Sequence, residues 1–405
     1  MSFAPMNIAP MNTVLSRRPL LLGLAAGAAL GPARIAFARA AGDARLVVVL
    51  LRGALDGLAA MPPYGDPAYA ALRPDAPREP GGPDGPLDLG GRFGLHPRLA
   101  ALHAIYAANQ AVVFHAISGP YRTRSHFDAQ ALLEGGAEGM SASGWLNRAL
   151  AALPEDGATH AGLALGTEIP LLMRGPARVG NYAPPVTARP EADLLARIAA
   201  LNDADPLLGP AMRDGLTQRD FNARTLGETG RAGRTPNPTA VLARAAGRLL
   251  AAPDGPRVAA LDMGGWDTHV AQGQRLPGTL GQLDEALDGL REALGAAWAR
   301  TAVLVMTEFG RTAAMNGSGG TDHGTGGVAF VLGGAIAGGR VIADWPGLAE
   351  GQLLERRDLA PTADLRGVAK ALLRGHLGLP EQAVMAAFPG SAGVSEPAGL
   401  LRPTL

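Results

Sequence analysis

Two short acid/histidine clusters hold the densest chemistry of the chain. Asp267-Thr268-His269 lies inside GGWDTH and Asp322-His323 inside GTDHG, with Glu308-Phe309-Gly310-Arg311 between them. Carboxylates and imidazoles together suit hard and borderline divalent cations such as Zn, Mn, Fe or Mg. One such pair arises easily by chance, with the aspartate serving a turn and the histidine bonding loop backbone. Recurrence in a chain with eight histidines makes a shared metal site the stronger reading. Asp56, in RGALDG, adds a carboxylate in a glycine-flanked loop, where the competing role is a turn or helix cap. Ser125, in RTRSHFDAQ, has Asp128 three residues on, as in a capping box. The same placement lets helix N–H groups steady an anion beside a serine nucleophile, so both roles stand open.

These residues need elements that bring them together. The runs Arg45–Leu51, Ala111–Ile117, Arg257–Met263, Thr301–Met306 and Gly327–Gly334 are continuously apolar, the pattern of strands buried on both faces. Helical spacing falls at Pro97–Asn109, Gly144–Leu153, Glu191–Leu201, Thr239–Leu250, Leu280–Ala299 and Asp364–Leu379, the last placing His376 at the surface. Strands alternating with helices predict an α/β fold: a doubly wound, largely parallel sheet with helices on both faces. In such a sheet the loops leaving the strands meet in one crevice, and most of the acid/histidine residues fall in those loops.

Composition sets outer bounds. The 405 residues are 47% hydrophobic with no net formal charge, so nothing global points to nucleic acid. Cysteine is absent, which excludes disulfides and thiolate ligands. Residues 1–40 read as an export leader: Ser16-Arg17-Arg18 begins a twin-arginine signal and Ala38-Arg39-Ala40 offers a cleavage site. The apolar run between them is shorter than the roughly 20 residues that span a bilayer. The mature chain, 41–405, is expected to be one domain without a transmembrane span, periplasmic or secreted, with 190–256 as a helical insertion. The partner this implies is the twin-arginine export machinery.

From LRGALDGL through RSHFDAQ, GGWDTH, TEFGRT and GTDHGTGG to RRDLAPTADLRGV, the mature chain resembles the DUF1501 proteins, a bacterial family of unassigned function similar in fold to alkaline phosphatases and sulfatases. That resemblance implies an alkaline phosphatase-like fold and a pair of metals flanking a serine or threonine nucleophile. Asp56 resembles the first-strand metal aspartate, Ser125 (or Thr123) stands where the nucleophile would be, and Asp267 with His269 resembles the first pair on the second metal. By letters, Asp322-His323-Gly324 matches a later metal pair. By order of elements, Thr307-Glu308-Phe309-Gly310 takes that place and His323 becomes the last ligand, the alignment preferred here because no histidine follows closely enough to fill it. Phe309 then replaces a ligand, implying one firmly held metal, and Arg311 is free to hold an oxyanion. The expected function is an exported metal-dependent hydrolase of a small anionic ester, phosphate or sulfate. The alternative is a non-catalytic periplasmic binding or assembly protein that keeps the hydrolase fold.

Overall fold

The computed structural model of the protein describes residues 43–77, 79–82, 84–154, 162–184, 192–227 and 237–403. The stretch read as an export leader lies outside them. Every residue of β1 (Arg45–Leu51) is buried, as its unbroken apolar run requires. Its side chains alternate between two cores. Val47, Val49 and Leu51 pack beneath one set of helices, α1 (Ala100–Ala107), α4 (Pro238–Ala251) and α5 (Gln272–Leu294). Leu46, Val48 and Leu50 face the other set, α3 (Trp145–Leu150), α6 (Leu365–Ala371) and α7 (Glu381–Ala387). A strand read as apolar on both faces therefore sits between two helical layers.

β1 pairs in parallel with β5 (Val258–Met263) on one side and β6 (Thr301–Thr307) on the other. Beyond β5 lie β3 (Gly162–Leu165) and β4 (Val179–Tyr182), again parallel. Beyond β6 comes β7 (Gly327–Leu332), which runs antiparallel to β6 and to β2 (Ala111–Ser118). β2 also takes the parallel strands β8 (Arg340–Ile342) and β9 (Ala363–Asp364), completing nine strands. The reversal of β7 decides the site. The carboxyl ends of β1, β2, β5 and β6 and the amino end of β7 lie along one edge, so the GTDHG loop enters from the opposite chain direction and still meets the others.

One local departure from the sequence reading has a physical cause. The expected helix Asp364–Leu379 is α-helical only to Ala371 and then widens into a π turn, Leu372–His376. That turn carries His376 into the protein, 7% exposed, where Nε2 donates to Arg45 O at 2.8 Å, so it is buried and not at the surface. Helix α4, within the stretch read as an insertion, packs a buried alanine and leucine face against α5.

Candidate metal centre

Helix α2 (His126–Gly135) begins directly after the loop leaving β2, so His126 sits at its first position, over the sheet edge. From the loop after β5 come Asp267 and His269, and from the loop before β7 comes His323. Their tips converge. His323 Nε2 lies 3.0 Å from His126 Nε2 and 2.9 Å from His269 Nε2. Asp267 Oδ1 stands 3.4 Å from His126 Nε2, 3.0 Å from His269 Nε2 and 3.3 Å from His323 Nε2. Among the described residues, His126, Asp267 and His323 present ligand atoms all within 4.8 Å of one another.

The outer nitrogens identify what the inner ones are for. His126 Nδ1 bonds Glu308 Oε1 at 2.8 Å, His269 Nδ1 bonds Asp322 Oδ1 at 3.1 Å, and His323 Nδ1 bonds the Arg124 carbonyl at 2.9 Å. Carboxylates and carbonyls only accept, so each Nδ1 carries a proton, and each ring in its neutral form turns an Nε2 lone pair inward. At these separations the facing lone pairs need a proton or a cation between them, and a divalent metal would serve all of them at once. Outer acceptors that fix the tautomer in this way are the usual companions of metal-bound histidine. The residues therefore fit a divalent metal. Asp267 and His269 keep 47% and 39% of their side-chain surface exposed, which leaves an open face, as catalytic sites require.

Charge in the outer ring follows the same logic. Burial would push Glu308 up, but bonds from His126, Gln130 and the Gly53 N–H hold it down at about 2. His126 is raised by its bond to Glu308. Asp322 is lowered by Asn316 and His269. Burial raises Asp267, but Arg311 more than offsets it and keeps the carboxyl below its ordinary range. His323 is lowered by burial.

Of the residues singled out in the sequence, Asp267, His269 and His323 meet at the centre, with Glu308 and Asp322 one layer out behind the imidazoles. Phe309 stacks on His126 with ring centroids 4.9 Å apart and lies 5.2 Å from His323, walling the rings rather than ligating. Arg311 is 1% exposed. It donates to the carbonyls of Gly53, Ala54, Trp266 and Thr321, to Asp267 Oδ1 at 2.6 Å and, more weakly, to His269 Nε2 at 3.4 Å, tying three loops together. Asp56 stands outside the converging atoms. It caps a short turn through Leu58 N and Ala59 N, pairs with Arg73 at 2.7 Å and accepts from Gln272 Nε2 at 2.6 Å. Ser125 occupies the N-cap of α2, yet its side chain makes no cap bond to the helix. Thr123, two residues earlier, is exposed.

His126 is the candidate ligand that the sequence alone does not single out. Its signal was its place, one residue after the serine at a helix start, but nothing near it in sequence pairs with it. The glycines of GTDHG have direct causes. A Cβ on Gly320 would lie 2.2 Å from the His269 backbone, and one on Gly324 would lie 2.4 Å from the Arg311 backbone. The loops can approach this closely only with glycine there.

A family described as "Protein of unknown function (DUF1501)" matches residues 107–386. No curated protein matches the chain. Among solved structures, the chain is similar to the alkaline phosphatase from the Antarctic bacterium TAB5 (13% identity, covering 73% of this chain and 94% of that one, TM-score 0.35). It is also similar to the phosphonate monoester hydrolase of Agrobacterium radiobacter (14% identity, 88% and 78%, TM-score 0.36). A third is the C-terminal periplasmic domain of EcEptC from Escherichia coli in complex with Zn (10% identity, 72% and 73%, TM-score 0.31). Among the described residues no helix is long and apolar enough to cross a membrane.

Proposed function

Starting from the chain's membership of the DUF1501 family, which brings no activity with it, we propose that it is an exported metal-dependent hydrolase of phosphate, sulfate or related esters. The observation that carries this reading is the approach of His323 Nε2 and Asp267 Oδ1 to both His126 Nε2 and His269 Nε2, with all three Nδ1 protons committed outward. His126, Asp267 and His323, with His269 beside them, would hold one divalent cation. Three imidazoles suit Zn or Fe better than Mg. Such a cation, when bound, polarises an ester oxygen and lowers the pKa of a coordinated hydroxyl or water.

The chain's own residues supply the remainder. Ser125 lies between Arg124, whose carbonyl orients His323, and His126, so its hydroxyl is tied in sequence to two residues of the centre. Uncommitted to its helix, that hydroxyl is the nucleophile, and the first N–H groups of α2 steady the developing anion. Arg311 acts differently from the oxyanion partner expected from sequence. Its N–H groups are engaged with protein acceptors, and its role is to hold Asp267 in place. Export by the twin-arginine route places the enzyme outside the cytoplasm.

The test begins with metal analysis of purified protein, followed by assays with aryl phosphates and aryl sulfates. One equivalent of metal, lost in His126→Ala and His323→Ala, with turnover abolished by Ser125→Ala, supports the reading. Metal-free protein that stays metal-free under added Zn or Fe would sink it. The engagement of Arg311 favours one competing reading, a binding protein without turnover. Metal uptake with no hydrolysis of any ester would select it.

A further inference from the structure

We propose that the tight turn Leu354–Asp358 is a clamp that positions the metal ligand His323 and the Ser125 loop, acting through Arg124. The proposal rests on the metal reading above. Arg124 has φ +64°, a left-handed conformation that residues other than glycine seldom adopt, and in it the carbonyl accepts from His323 Nδ1. Its guanidinium is held from one direction. Asp358 Oδ2 takes Nε at 2.9 Å and Nη2 at 2.8 Å, and Glu355 takes Nη2 at 2.6 Å.

The turn that supplies these carboxylates is itself strained. Glu355 and Arg356 have φ +53° and +54° in succession, in a turn closed by Arg357 N to Leu354 O at 3.1 Å and Leu354 N to Asp358 O at 2.9 Å. Consecutive left-handed residues are normally Asn-Gly. Asp358 is fully buried, and its Oδ1 has no hydrogen-bond partner, only an ion pair with Arg357 Nη1 at 3.7 Å, while Oδ2 also accepts from Thr325 Oγ1 at 2.7 Å. From the same turn Arg357 Nη2 donates to His323 O at 2.7 Å. A turn serving only as a connection would be more stable with Asn-Gly at its tip and an apolar residue at 358. Strain and an under-bonded buried carboxylate instead gather where the turn grips both partners of the His323–Arg124 bond. Once released, Arg124 relaxes from the left-handed region, His323 Nδ1 loses its acceptor, and neither the inward lone pair nor the placement of Ser125 is fixed.

The experiment measures Zn(II) affinity by chelator competition and the visible spectrum of the Co(II) form. It uses the full chain carrying Asp358→Asn, Arg124→Met, or both; Arg124→Met removes the guanidinium and keeps the carbonyl. Each single variant should bind Zn about 10–100-fold more weakly, with a changed Co(II) spectrum, under conditions where urea titration shows the metal-free form fully folded. The double variant should lose no more than either single one. Wild-type Zn affinity in Asp358→Asn overturns the proposal, as do losses that multiply in the double variant. Should Asp358→Asn not fold, Glu355→Gln alters only a carboxylate 63% exposed and should weaken Zn severalfold, with no further loss in the Arg124→Met background. Unchanged affinity there overturns the proposal too. A wild-type chain that binds neither metal defeats the metal reading and this proposal together, whereas a wild type that binds and variants that match it defeat this proposal alone.

Discussion

At the scale of single residues the centre is a set of imidazoles whose protons have been placed by their neighbours. The two carboxylates behind them differ in burial, Glu308 at 1% of its side-chain surface and Asp322 at 53%, so their contributions should differ. Replacing Glu308 with Gln removes an anion shielded from water and should weaken Zn binding about 10–100-fold. Asp322→Asn, screened by solvent, should cost less, and calorimetric titration of both variants would show the ranking. Ser125→Ala should lower turnover of an aryl ester about a thousandfold or more while Zn affinity stays at the wild-type value. Thr123→Ala should leave both unchanged, and a large loss there would move the nucleophile to Thr123. The sequence displayed Asp267, His269 and His323 because each stands beside another candidate ligand or a telling glycine. His126 had no such neighbour. Its partners Glu308 and His323 lie more than 180 residues away, so only the fold makes it a candidate ligand.

At the scale of elements, legibility followed how each signal is encoded. β1, β5 and β6 were readable because strands buried on both faces must be apolar throughout. Apolarity carries no direction, however, so the antiparallel course of β7 was not readable, nor was the entry of His323 from the opposite direction. What joins these elements at the sheet edge is Arg311, whose six partners belong to the loops after β1 and β5 and the loop before β7. A lysine is a point donor and cannot reach four carbonyls and Asp267 at once. Arg311→Lys should therefore destabilise the metal-free protein by about 3 kcal/mol or more, since buried carbonyls lose their donors, and urea unfolding measures this. The same variant should weaken Zn binding, because Asp267 would no longer be held at 2.6 Å from a buried cation. If stability falls and Zn affinity does not, Arg311 serves the fold alone.

At the scale of the whole molecule, the histidines outside the centre set how stability depends on pH. His115 is fully buried on β2, with Nε2 donating to Met61 O and Nδ1 accepting from Ala116 N, and burial lowers it from 6.5 to about 4. His96 is likewise lowered by burial to about 4, and His376 is lowered by burial as it bonds Arg45 O. In each case the folded pKa lies below the unfolded one, so the unfolded chain binds more protons. Their contribution is present above about pH 6.5 and lost as pH falls toward 4. His126 has the opposite sign: its folded pKa is raised, so its contribution is full below the unfolded pKa and is lost as pH rises. Glu308, depressed to about 2, contributes above its unfolded value and is lost only at lower pH, beneath the histidine window. The urea midpoint of metal-free protein should thus fall between about pH 7 and pH 4.5. For His115 alone, a shift from 6.5 to about 4 corresponds to about 3 kcal/mol at full protonation. His115→Gln can still donate to Met61 and accept from Ala116 but cannot take up a proton. Its profile should be flatter over that interval, whatever its stability at neutral pH. Parallel profiles for wild type and variant would show that His115 does not carry the dependence.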